Sequence, residues 1–103
     1  VAVCIPIDVE TKQIMLVSSR STPDQWILPK GGWESDETKE RSAEREAWEE
    51  AGVVGEIVRE IGIWNTFSKK RPDKAKLQFT VYELQVRQCH DVWPEQSFRR
   101  RQW

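Results

Sequence analysis

The stretch from Thr38 to Ala51, TKERSAEREAWEEA, is built of strong helix formers, holds neither Gly nor Pro, and is followed directly by Gly52. Gly and Pro are the residues a helix interior tolerates least, and a Gly just past the last turn supplies the left-handed residue that ends one. The pattern predicts one helix over 38–51. Ser35 and Asp36 are candidate N-caps, because their side-chain oxygens can accept from the free N–H groups of a first turn, where acids also suit the helix dipole. The flanking segments have strand character. VAVCIPIDVE is β-rich, with Pro6 marking an edge or bulge. A turn is expected near Val9 to Lys12, then a strand over Ile14 to Val17, a loop at RSTPDQ, and a short strand WIL closed by Pro29 and the Gly31-Gly32 pair. Beyond Gly52, VVGEIVREIGIWNTF predicts one or two strands with a turn at Gly55 and a break or bulge at Gly62. LQFTVYELQV predicts a strand, RQCHDVWPEQ an irregular stretch, and SFRRRQW a basic, partly apolar strand. One helix among strands means an α+β or mixed α/β domain. At 103 residues, the chain is a single domain, 1–103, with one modest core. Most of the six tryptophans are expected in that core or in pocket walls.

Charge is distributed unevenly along this frame. From Glu34 to Glu50 there are eight acids and three bases, a net of −5 in a chain whose total is −1. At about 100° per residue, Ala43, Ala47 and Ala51 form an i, i+4 stripe small enough to pack closely on a sheet. Glu46, Glu49 and Glu50 are related by i+3 and i+4, so their side chains converge on a neighbouring face. Arg45 stands four residues before Glu49 and can pair with it. A Glu-rich helix is most often a solvated face laced with such pairs. Three carboxylates on one face nevertheless repel one another unless a positive charge sits among them, and hard divalent cations take oxygen ligands. Cys4, Cys89 and the lone His90 show no zinc-site spacing. The two cysteines could pair, but a reduced, intracellular protein is the expectation, in the cytoplasm, the nucleus or both.

The whole spacing is more specific than the helix. Gly31, five residues, Glu37, seven residues, then Arg45-Glu46-Ala47-x-Glu49-Glu50-x-Gly52-Val53 resembles the Nudix box, the signature of the Nudix hydrolases, at every defined position. The resemblance implies a loop–helix–loop unit in an α/β/α sandwich around a mixed β-sheet. It implies hydrolysis of a diphosphate linked to another moiety, with Mg²⁺ or Mn²⁺ as cofactor. By resemblance Glu46 and Glu50 are metal ligands, Glu49 is a ligand or the base that activates water, Arg45 orients the acids, and Gly31 lets its backbone approach the metal. The chemistry agrees. Bare carboxylates repel a polyphosphate, whereas bound Mg²⁺ reverses the sign and lowers the pKa of its water.

Substrate choice is expected in the basic remainder. Beyond Gly62 there are nine bases and four acids, a net of +5, concentrated in KKRPDKAK and RRR. Each cluster alone is most often a solvated loop or edge. Beside a phosphate-cleaving motif they point to a cationic cleft. VSSR, WILPKGGWE, AGVVGEI and RRRQW look similar to the diphosphoinositol polyphosphate phosphohydrolases, and most to the fungal type also called diadenosine polyphosphate hydrolases. This resemblance spans nearly the whole chain. It implies cleavage of phosphoanhydrides in inositol pyrophosphates, diadenosine polyphosphates and inorganic polyphosphate. Carried over, Ser18, Ser19 and Arg20, Lys30, Lys74 or Lys76, and Arg99 and Arg101 are expected to contact phosphates. PKGG stands where animal members have PGGG.

Other readings are a different Nudix enzyme, such as an mRNA-decapping or nucleotide-sugar hydrolase, and a Nudix-like module that binds inositol phosphates without turnover. The expected partner is a polyphosphorylated small molecule, not a membrane or a nucleic acid, and the expected state is monomeric. The N-terminus has no signal-peptide pattern and no apolar run is long enough to span a bilayer. Val1 opens inside a strand and no C-terminal helix follows RRRQW, so flanking segments are expected on both sides.

Overall fold

A computed structural model describes residues 1–67, 69–71, 73 and 75–103. The first strand, β1 (Ala2–Asp8), turns through residues 9–12 into β2 (Gln13–Ile14). The strand expected over Ile14 to Val17 is divided there, because Met15 turns into the core and β3 (Leu16–Ser18) joins another sheet. Next come β4 (Trp26–Ile27), β5 (Lys30–Gly31) and the helix α1 (Lys39–Ala51). Two 15-residue strands, β6 (Val53–Phe67) and β7 (Ala75–Cys89), form a long hairpin, and β8 (Arg101–Gln102) closes the chain.

The main sheet runs β2-β1-β7-β6, with β5 also paired to β1. Strands β1 and β7 are parallel, while β6 and β7 are antiparallel. A smaller antiparallel sheet runs β4-β3-β8. This mixed α+β arrangement is the expected one, with one helix among the described residues. Gly55 does not turn the chain, and Gly62, expected as a break or a bulge, is at a bulge. Both sit at register shifts inside one continuous β6, where an extra residue is absorbed as a bulge without loss of pairing. SFRRRQW supplies only the two residues of β8. The RQCHDVWPEQ stretch begins as the end of β7.

The helix lies on β1 and β6. Its Ala43, Ala47 and Ala51 are fully buried and share a core with Ala2, Cys4, Met15, Val17, Val53, Tyr82 and Leu84. Alanines at i, i+4 let the helix backbone approach the sheet closely, so the core is filled by large residues from the strands. The tryptophans do not supply them. Trp33, Trp64 and Trp103 are exposed and the other three only half-buried. The indole N–H needs a partner or water, which favours edges over a small core. The N-cap is Thr38, neither Ser35 nor Asp36. Its hydroxyl accepts from Arg41 N at 3.1 Å, whereas Ser35 and Asp36 lie in the preceding turn. Gly52 ends the helix at φ 70°, the left-handed conformation expected of it. Cys4 is a buried free thiol and Cys89 an exposed one. No helix of the described residues is long and apolar enough to cross a membrane.

Candidate functional site

The buried alanine stripe decides where the helix carboxylates go. Glu46 and Glu50 flank it, so both are drawn to the buried edge of the helix beside β5, at 9% and 2% exposure. Glu49 is rotated outward and its side chain is 34% exposed. Strand β5 fits under this edge because Gly31 has no side chain there. A Cβ at Gly31 would overlap the Glu46 carboxylate. Lys30 N donates to Glu50 Oε2 at 2.9 Å. Burial pushes both acids up: Glu46 rises above the usual carboxylate range, and Glu50 reaches about 7 although the Lys30 amide and Arg99 act against the shift.

Arg45 binds the acids together from the other side. Its NH1 donates to Glu46 Oε1 at 3.0 Å and to Glu49 Oε2 at 3.2 Å. Its NH2 and Nε donate to Glu37 at 2.8 and 3.2 Å, and NH2 also reaches Gly32 O at 3.2 Å. The Arg45 guanidinium holds Glu37 down at about 2. Four of the residues singled out by spacing therefore form one network: Glu37, Arg45, Glu46 and Glu49.

The segment after β7 caps the other end of the helix. A helix leaves its last carbonyls without partners, and here each of the last four residues, with Gly52 behind them, finds one. Trp48 O accepts from Gly52 N at 3.0 Å, Glu49 O from Glu95 N at 3.0 Å and Gly52 O from His90 N at 2.8 Å. Glu50 O accepts from the Trp93 indole at 3.0 Å, and Ala51 O from Arg101 NH1 at 2.9 Å. The Arg101 guanidinium also stacks on Trp93 at 3.9 Å. The last turn carries no basic residue of its own, so Arg101 brings the cation that a helix C-terminus favours. Spacing alone gives no hint of this cap. Glu95 and Trp93, which hold the helix end behind the acids, are not singled out by the sequence. The available signal was the i, i+4 pair Glu95–Arg99, which joins at 2.7 Å.

A cavity of about 620 Å³ opens beside the carboxylates, and Ser19, Arg20, Lys30, Gly31, Glu50 and Arg99 are among its walls. It unites one acid of the helix, Glu50, with cations from three other parts of the chain. The expected phosphate contacts divide around it. Ser19 lines it, but its hydroxyl accepts from Thr22 N at 3.2 Å. Arg20 lies over Phe98 at 4.7 Å. Ser18 is buried and its hydroxyl accepts from Arg100 N at 2.9 Å, so it joins β3 to the arginine run and does not face the cavity. Arg101, another expected phosphate contact, is directed to the helix end and is not among these walls. Lys76 is exposed on β7, outside these walls. Lys74 lies outside the described residues. A larger concavity, about 800 Å³, lies on the outer side of the helix against Trp48, Val54 and His90, and shares Arg45 and Glu37 with the network.

The donor set suits a magnesium-like cation. Two buried carboxylates whose charge is costly stand beside a glycine whose backbone can approach closely, next to an open, cation-lined cavity. Among the described residues, no three His, Cys, Asp or Glu side chains are grouped so as to hold a metal ion, and the acid oxygens are turned onto Arg45 and Arg99. Mg²⁺ does not demand such a group, since it keeps waters and substrate phosphates among its ligands.

The sequence model of one family, the NUDIX domain, matches residues 1–103. The chain is 41% identical over 106 residues to Nudix hydrolase 13, mitochondrial, of Arabidopsis thaliana, covering 94% of this chain and 52% of that protein. It is 38% identical over 91 residues to Nudix hydrolase 21, chloroplastic, of the same plant, covering 88% and 45%. It is 38% identical over 93 residues to diphosphoinositol polyphosphate phosphohydrolase 2 of Mus musculus, covering 88% and 49%. The chain thus spans about half the length of the curated relatives it matches.

Proposed function

This chain belongs to the NUDIX domain family, and we propose that it is a divalent-metal-dependent hydrolase of phosphoanhydrides in inositol pyrophosphates and diadenosine polyphosphates, with inorganic polyphosphate a further substrate. One observation carries the reading. The cavity that holds Glu50 and Gly31 also holds Arg20, Lys30 and Arg99, so one space offers a metal-binding acid and cations for phosphates. The similarity to a diphosphoinositol polyphosphate phosphohydrolase supports the substrate class.

Glu46 and Glu50 would hold Mg²⁺, or Mn²⁺ in its place, beside the Gly31 backbone. Bound there, the metal supplies neutralisation of phosphate charge and a more acidic water. Glu49 takes the proton of the attacking water, which its partial exposure permits and its contact with Arg45 orients. Arg45 holds Glu46 and Glu49 at a set spacing through one nitrogen, itself held by Glu37. Arg20 and Lys30 fix the phosphates that do not react, so that the scissile phosphorus is presented in line with the attack.

The test is a comparison of kcat/KM with Mg²⁺ for a diphosphoinositol pentakisphosphate, diadenosine hexaphosphate and a capped RNA. Cleavage of the first two and not the RNA is the expected result. A preference for RNA would keep the reaction class and overturn the substrate class. Binding of the inositol pyrophosphate without turnover would make this a sensing module.

A further inference from the structure

Arg99 spends all three guanidinium nitrogens inside the protein. Nε donates to Glu95 Oε1 at 2.7 Å, NH1 to Ser18 O at 2.9 Å, and NH2 pairs with Glu50 Oε1 at 3.0 Å. The side chain is 11% exposed and that of Glu50 2%. With Lys30 N on Oε2, both oxygens of Glu50 are occupied. Arg45 repeats the arrangement on the neighbouring acids. Each arginine is anchored off the helix face by a carboxylate outside the i+3, i+4 set, Glu37 for Arg45 and Glu95 for Arg99, and each reaches inward to that set.

We propose that Arg99 is the resident counter-ion of the metal-free site, holding Glu50 until a divalent cation displaces one of its three contacts. The inference rests on the reading that Glu46 and Glu50 hold the metal. A cation that takes Glu50 Oε1 has to remove the NH2 of Arg99 from it. The contacts to Glu95 and Ser18 remain, so the guanidinium stays at the cavity wall after displacement. A planar fork with three separately directed donors can lose one bond and keep two, which a lysine ammonium on a flexible stem cannot match. Arg99 in this role is a positioning residue. It keeps a buried carboxylate compensated and in place, and it competes with the metal.

The discriminating measurement is Mn²⁺ binding to the full chain by calorimetry, with thermal unfolding in the presence and absence of Mn²⁺. Arg99→Gln should bind Mn²⁺ roughly tenfold more tightly, the equivalent of one charge-assisted hydrogen bond that no longer has to be broken. Its metal-free form should melt lower than the wild type, and Mn²⁺ should raise its Tm by more. Arg99→Lys keeps the charge and loses the fork, and should tighten binding by about threefold. Lys30→Gln removes the same charge from an exposed side chain of the same cavity and should change affinity by no more than about twofold. Equal shifts in Arg99→Gln and Lys30→Gln would overturn the proposal in favour of a general field effect. Unchanged or weaker binding in Arg99→Gln would overturn it in favour of a structural tether. If Arg99→Gln does not fold, Arg99→Lys decides: tighter binding supports the proposal, and equal or weaker binding overturns it. Wild-type protein that binds no Mn²⁺ would remove the metal reading itself, whereas wild-type binding with no gain in either Arg99 variant removes only this inference.

Discussion

The acidic helix and the arginine run are equally conspicuous in sequence, yet only the helix distributes its residues as their spacing dictates. On α1, Ala43, Ala47 and Ala51 are buried, Glu46 and Glu50 flank them, and Arg45 reaches Glu49. In the run, three identical neighbours have three environments. Arg99 pairs with Glu50 and Glu95. Arg100 donates to Pro23 O at 2.7 Å and lies over Trp26 at 5.2 Å. Arg101 caps the helix. The difference is one of backbone regularity. A helix repeats one geometry, so separation along the chain becomes direction in space. The arginine run passes from a turn into a two-residue strand, and no single period relates its side chains.

Variants can break or sharpen that contrast. The largest effect is expected at Glu49. Glu49→Gln should fold normally and lose activity by about two orders of magnitude or more, as removal of a general base does. Near-wild-type turnover would take the proton-transfer role from Glu49 and leave the helix with metal binding alone. Next is Arg101→Ala, which removes a charge-assisted bond to a half-buried helix end and a stacked guanidinium. A stability loss of about 2 kcal/mol by denaturant titration is expected, with kcat/KM falling equally for long and short substrates. A selective loss on long, highly charged substrates would return Arg101 to the phosphate contacts and make the run more uniform than its geometry shows.

A pH series tests the helix side. Glu37 titrates near 2 in the folded protein against an ordinary 4.5. Its link to Arg45 is therefore fully present above about pH 4.5 and is lost as pH falls through 2. The wild type should be more stable than Glu37→Gln at pH 6, and their melting temperatures should converge toward pH 2. Parallel curves would mean that the Glu37–Arg45 contact contributes nothing to folding. Glu50 acts in the opposite sense. Its folded value near 7 lies above the unfolded one, so in metal-free protein its contribution declines as pH rises from about 4.5 through 7. The smallest effect belongs to Arg100→Ala, an exposed contact whose removal should stay within about 0.5 kcal/mol. A loss as large as that of Arg101→Ala would erase the distinction between the two neighbours.

Much of the site was legible because a helix and its flanking glycines translate directly into geometry. The helix end at Gly52, the alanine stripe, and the reach of Arg45 to Glu49 all follow from residue type and separation. The cap is not legible in the sequence, since Thr38 competes with Ser35 and Asp36 on nearly equal chemical terms and only the turn over residues 35–37 selects it. The tryptophans, expected in the core or in pocket walls, stay out of the core, because a core packed against alanines has room for Tyr82 and Met15 and leaves the indoles at edges; Trp48 and Trp103 do line concavities. Glu95 and Trp93 were not found at all. Their partners, the carbonyls of Glu49 and Glu50, are more than forty positions away, and backbone carbonyls carry no signature in a sequence.

The amino-acid sequence by itself determined the helix, its buried and acidic faces, and the chemistry that those faces can support, because each depends on neighbours within a few residues. Tertiary structure alone decided which cations stand beside those faces. Arg20, Lys30 and Arg99 come together around one cavity, and Arg101 does not, through the pairing of β3 with β8, β5 with β1, and the segment after β7 with the end of α1. Those pairings join residues that no local period relates, and they form only once the whole chain has closed on its core.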